Sequence, residues 1–225
     1  MSADFFKGKI IAIATGIVAV LVVLGVYMYT RYLDMATVEA VSQNYYFLVS
    51  DSTHIEASTH EIILDGGAGY VLESNGTEYV TVSSYLSSHE AEMVQKGLDR
   101  QTRIIALRVD NLYFKTKEEK RNSAKIKAAF QSLSDCIEVL SKETARLEKG
   151  GTQESCKRIL ETLKKQFVFL GREYNSVFLS YGQLCDRTAV QLEKLLNTTI
   201  FVSDLRHLQC DLCNSYVSLA NEFSL

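Results

Sequence analysis

Residues 10–30 (IIAIATGIVAVLVVLGVYMYT) run on without one charged side chain. At about 1.5 Å per helical residue such a run crosses a hydrocarbon core of roughly 30 Å. A secretory leader would have a shorter apolar region of about 7–15 residues and a small-residue cleavage site, whereas here Arg31-Tyr32-Leu33-Asp34 follows. A buried core helix would carry a polar stripe, and this run has none. The expectation is an uncleaved single-pass transmembrane helix at 10–30, with the lipid bilayer as its partner. Lys7 and Lys9 precede the run and Arg31 follows it, so the tail 1–9 is expected inside and the bulk of the chain outside the cytoplasm.

The remainder of the 225 residues has room for one large domain or two small ones. A formal net charge of −3 supplies no basic field, which argues against nucleic acid as a partner. Proline is absent, so helices are expected to run on without breaks. The five cysteines (136, 156, 185, 210 and 213) are odd in number and lie in helical sequence, unlike a disulfide framework. Asn75-Gly76-Thr77 and Asn197-Thr198-Thr199 match the N-glycosylation triplet, a pattern that arises often by chance.

After a linker at 31–42, residues 43–114 read as β-α-β-β-α-β. Residues 44–50 (NYYFLVS) are aromatic and β-branched, a strand signal. Thr53-x-x-Glu56 reads as a capping box opening a helix that Asp65-Gly-Gly-Ala-Gly69 closes. That glycine cluster lacks the Lys-Ser/Thr of a phosphate loop and is read as a turn. Strands at 70–73 and 77–83 flank Asn75-Gly76, the strongest short hairpin signal. Ser87-x-x-Glu90 opens a second helix, and 102–109 reads as the last strand. Two helices on one face of a four-stranded antiparallel-type sheet suit this order. Phe47, Val49, Val80 and Val82 are expected beneath the helices, with Tyr46, Leu48, Tyr79, Thr81 and Ser83 on the opposite face.

The segment Tyr45-Tyr46-Phe47-Leu48-Val49-Ser50, the segment Glu78-Tyr79-Val80-Thr81-Val82-Ser83-Ser84-Tyr85 and the following Ser87-x-x-Glu90-Ala91 resemble the SPOR (sporulation-related repeat) domain family. The resemblance covers about a third of the chain. The chain departs from the family pattern where Leu48 replaces a glutamine, Tyr79 an arginine, and Ser50 and Ser83 glycines. The resemblance implies a bacterial cell-envelope protein that binds peptidoglycan glycan strands in cell division or sporulation. The glycan-binding residues would be Tyr46, Leu48, Tyr79, Thr81 and Ser83. The same tyrosines and threonine are also ordinary strand formers on an exposed face.

Residues 116–225 switch to helical period. Thr116-x-x-Glu119 is a capping box, followed by a seam at Ile126, Phe130, Leu133, Ile137, Leu140, Thr144 and Leu147. Gly150-Gly151-Thr152 supplies a stop and a new N-cap, and a second seam runs from Cys156 through Leu160, Leu163, Phe167, Leu170, Tyr174 and Val177 to Tyr181. A coiled-coil hairpin over 117–182, with one or two further helices, predicts an all-α bundle. Lys117–Arg121 and Lys157–Lys165 read as solvated helix faces that could also meet anionic lipid or wall polymer. His207, Cys210 and Cys213 share a helical strip suited to a metal or thiol pair, although buried cysteine is the commoner use of such positions. His54, His60 and His89 have no ligand spacing and read as surface residues. No catalytic motif appears and no cofactor is expected. The expected function is a membrane-anchored, non-enzymatic wall-glycan binder at the bacterial cytoplasmic membrane. The alternative is a membrane-tethered scaffold that binds envelope or divisome proteins through a degenerate sheet domain and the bundle.

Overall fold

The computed structural model describes residues 37–51 and 54–224, together with Val22, Leu24 and Gly25. The elements run β1 (Thr37–Ser50), α1 (Ile55–Leu64), β2 (Tyr70–Ser74), β3 (Thr77–Tyr85), α2 (Ser88–Gly97) and β4 (Thr102–Phe114). They continue with α3 (Lys117–Glu148), α4 (Gln153–Tyr174), α5 (Leu179–Leu196) and α6 (Val202–Asn221). The fold is α+β, with one antiparallel sheet in the order β2-β3-β1-β4. Each helix of the β-α-β-β-α-β half spans a split connection, and both helices pack on the same side of the sheet.

Local chemistry accounts for several ends. Asn75 and Gly76 take φ 53° and 73°, the pair of positive values a two-residue hairpin turn needs. At Thr116 the capping box is complete: Glu119 N–H donates to Thr116 Oγ1 at 3.1 Å, and Thr116 N–H donates to Glu119 Oε2 at 3.0 Å. Thr152 caps α4 by accepting from Ser155 N–H at 3.3 Å. Ser87 is the N-cap of α2 but makes no side-chain cap bond, so the box expected there is absent. Thr53 lies outside the described residues.

The sheet is covered on both faces. Leu48, Val80 and Val82 pack with Ile62 under α1 and α2 in a small core. The other face carries Tyr45, Phe47, Val49 and Leu72 into a much larger core shared with all four long helices. Helices α3 and α6 lie directly on the sheet, and α4 and α5 pair with each other farther out. The expected facing of β1 is thus inverted: Leu48 points toward α1 and α2, while Phe47 and Val49 point away. A one-residue slip exchanges the faces of a whole strand, and the β1–β3 register shifts between Leu48 and Val49. The larger side chains of β1 gain more burial under the bundle.

The bundle has four helices, but its pairing differs from the expected coiled-coil hairpin over 117–182. The α3 seam is spent chiefly on α6 and the sheet, and α4 pairs more extensively with α5 than with α3. The second long helix breaks after Tyr174, because Phe178, which is off the heptad seam, turns inward. Its ring stacks on Tyr181 at 5.7 Å and meets Phe223 at 5.2 Å.

The single-pass placement at the bacterial cytoplasmic membrane is corrected. Among the described residues no helix is long and apolar enough to cross a membrane. The run 10–30 itself lies outside the described residues apart from Val22, Leu24 and Gly25. The described residues give the transmembrane and cell-envelope assignments built on it no support.

Candidate functional site

Helix α6 is amphipathic in an unusual way: polar side chains beside its leucine stripe reach across to the sheet half of the molecule. Arg206 donates from Nη1 to the Gly66 carbonyl and from Nη2 to Glu148 Oε1, both at 2.8 Å. His207 Nδ1–H donates to the Ala68 carbonyl at 3.0 Å, and its ring stands edge-on to Tyr70. Gln209 Nε2–H donates to the Ser84 carbonyl at 2.8 Å, and Asn214 Nδ2–H to the Tyr70 hydroxyl at 3.0 Å. The chain around Gly66–Ala68 can come this close because Gly66 adopts φ 81°.

These contacts frame a cleft between α2 and the α3–α6 pair. Its main chamber, of about 320 Å³, has Ser84 and Gln209 on the floor and Met93 and Val94 on the rim. A second chamber of about 240 Å³ continues past Tyr85 and Arg206 to Arg100. There Arg100 is held by Glu61 at 2.9 Å and Asp65 at 2.7 Å. The main chamber falls at the lower end of ligand-sized cavities, which run from about 300 to 1,000 Å³, and the second chamber lies below that range. Burial pushes the Tyr85 hydroxyl above its ordinary pKa, so it stays a neutral hydrogen-bonding group. The walls of the main chamber are chiefly apolar, Arg206 is committed to Gly66 and Glu148, and Gln209 to the Ser84 carbonyl. Met93 is 58% exposed at its mouth.

The five residues expected to meet sugar do not form an open face. Leu48 and Thr81 are fully buried and Ser83 nearly so, while Tyr46 and Tyr79 are half-buried. Tyr79 lies beneath the Arg103 guanidinium, 4.2 Å from the ring centroid. Thr81 Oγ1 has no hydrogen-bond partner among the described residues. Of the five, Ser83 lines the cleft. The face they were assigned to is occupied by α3 and α6, so the peptidoglycan, cell-division and sporulation assignments lose their surface.

His207, Cys210 and Cys213 are not brought together as a ligand set. His207 turns to Ala68, while both thiols are buried, with Ser84 Oγ donating to Cys213 Sγ at 3.6 Å. Burial pushes the Cys210 thiol up to about 12 and raises that of Cys213 as well, which makes neither a nucleophile. Among the described residues no group of three His, Cys, Asp or Glu side chains is placed to hold a metal ion. His54 and His60 are exposed, and His89 sits at the cleft. Arg206, Gln209 and Asn214 escaped the sequence reading. The one signal for them was a glutamine within the Leu205–Leu208–Leu212 stripe.

No family model, curated protein or solved structure matches this chain, so nothing among known proteins bears on the SPOR resemblance or supplies a family for the chain.

Proposed function

We propose that this chain is a non-catalytic binding scaffold that holds a segment of a partner protein in the cleft between α2 and the α3–α6 pair. The reading rests on one observation: Met93 stands exposed at the mouth of a chiefly apolar chamber whose polar floor is internally satisfied. A ligand gains there by burying an apolar side chain, at about 25 cal/mol per Å² removed from water, and gains little from charge. The occupant is a peptide segment with one large apolar anchor, Leu, Met or Phe, inserted between Val94 and Ala145. Wall glycan has no comparable support, because the face suited to it is covered by α3 and α6.

Selection of a random peptide display library on the full chain tests this. Enriched peptides should share one large apolar residue, and Met93→Asp should weaken them at least about tenfold, the cost of one lost apolar anchor. Absence of enrichment, or peptides that bind Met93→Asp as tightly as the original protein, would refute the assignment.

A further inference from the structure

Among the described residues strand β4 ends the sheet and pairs only with β1. Among the described residues its outer edge is met at one place, where Tyr113 N–H donates to the Phe223 carbonyl at 2.8 Å. Successive residues of a strand turn their N–H and C=O groups to alternate edges. The outward set from Tyr113 is therefore Asn111, Val109, Leu107, Ile105 and Arg103. The opposite edge of the sheet belongs to β2, which has only 5 residues. The long free edge is the one at 103–111, and unpaired edges of that length act as templates for another strand.

We infer that this edge pairs with the same edge of a second copy of the chain, antiparallel about a two-fold axis at Leu107. The free stretch is its own complement. Arg103 pairs with Asn111 of the second copy, Ile105 with Val109 and Leu107 with Leu107, so every outward donor finds an acceptor. Shifting the register by two residues strands donors at one end. Between them, Arg108 faces Ala106 and Asp110 faces Ile104 of the second copy, so no like charges are opposed. Ile105 and Leu107 are half-buried at the margin of the large core, and the axis joins the two margins into one apolar strip. A symmetric, self-complementary contact of this kind closes at two copies. It is separate from the cleft and stands or falls independently of it.

Two measurements on the full chain test the pairing. Ala106 and Arg108 of the two copies form a non-hydrogen-bonded pair with Cα atoms about 4.5 Å apart, within disulfide range. The five native cysteines are buried, so oxidation of the Ala106→Cys, Arg108→Cys variant should give a covalent dimer on a non-reducing gel. Leu107→Pro removes an outward N–H without touching the β1 ladder. It deletes two bonds across the axis and should raise the dimer dissociation constant about 30-fold by sedimentation equilibrium. Ile105→Lys should weaken the dimer too, with the backbone intact, which guards against a folding defect in the proline variant. A chain that sediments as a monomer, no covalent dimer on oxidation, or variants that dimerise like the original would each overturn the assignment.

Discussion

Phe130 on α3 is fully buried where the sheet and bundle share their core. Its ring centroid lies 5.0 Å from Tyr216, 5.9 Å from Phe178 and 6.3 Å from Phe223. Phe130→Ala leaves a cavity at that junction and should cost about 4 kcal/mol, within the roughly 3–5 kcal/mol typical of buried Phe→Ala changes. The edge-to-face contacts with Tyr216 and Phe223 place it in the upper half of that range. With a urea slope of about 2–3 kcal/mol per M, the unfolding midpoint falls by about 1.5 M. Two probes should be followed together: far-ultraviolet circular dichroism, dominated by the long helices, and amide hydrogen exchange in β1 and β4. One core predicts that both move by the same amount. If β1 and β4 keep their protection while the helices melt, or if the loss is below about 1 kcal/mol, the shared core is refuted.

Two glycines of the α4–α5 pair should respond in opposite ways. A Cβ at Gly182 would lie 2.8 Å from the Asn175 Cα, immovable backbone, so Gly182→Ala should lower stability by about 1–3 kcal/mol in urea unfolding. At Gly171 the Cβ would meet the Asp186 Oδ1 at 2.6 Å, the end of a side chain that can turn away. There the alanine's helix preference, worth about 0.8–1 kcal/mol, should leave Gly171→Ala neutral or stabilising. Burial pushes the Cys136, Cys156 and Cys185 thiols up to about 12, so Ellman's reagent should find no fast-reacting thiol in the native protein and five after denaturation. The Arg146 guanidinium holds the Glu143 carboxyl below the usual range. The resulting stability is complete above the ordinary carboxylate pKa of about 4.3 and is lost as pH falls through the lower folded value. Urea midpoints measured from pH 6 to pH 3 should fall less steeply in Glu143→Gln than in the original protein.

Where a structural feature is fixed by neighbours in sequence, the sequence shows it. The Asn75-Gly76 turn and the Thr116 box need only residues within four positions, and both form. The stop at Gly150, with φ 89°, is equally local. Features fixed by the placement of the bundle are not visible in this way. Alternation along β1 marks two faces but cannot say which is covered by α1 and α2 and which by α3 and α6. Phe178 lies outside the heptad seam, so the seam continues through Val177 and Tyr181 on paper while the chain itself turns to bury the ring. The cleft is hidden for the same reason. Arg206 and Gln209 look like the polar flank of a leucine stripe until Gly66 and Ser84 are brought against them.

The covered sheet face changes what kind of binding this molecule can support. An open strand face offers rings and hydroxyls to a flat ligand, whereas here Thr81 and Ser83 are sealed beneath helices. Among the described residues Thr81 Oγ1 is left without a partner there, but α6 supplies partners to other polar groups along the sheet: Arg206, His207, Gln209 and Asn214 bond to Gly66, Ala68, Ser84 and Tyr70. Those bonds lock α6 to the Gly66–Tyr70 loop and to β3, and so hold the walls of the cleft in place before any ligand arrives. A preformed cleft spares the ordering cost of binding, at about 0.5–1.5 kcal/mol per side chain already fixed. Loosening the lock should therefore weaken peptide binding even though Met93, Val94 and Ala145, which flank the apolar anchor, are unchanged. Arg206→Met keeps the aliphatic stem but frees Gly66 and Glu148. It should raise the dissociation constant of a selected peptide about tenfold, equivalent to two such side chains, and increase hydrogen exchange at Gly66–Tyr70. An unchanged dissociation constant together with faster exchange would show that the lock does not shape the cleft.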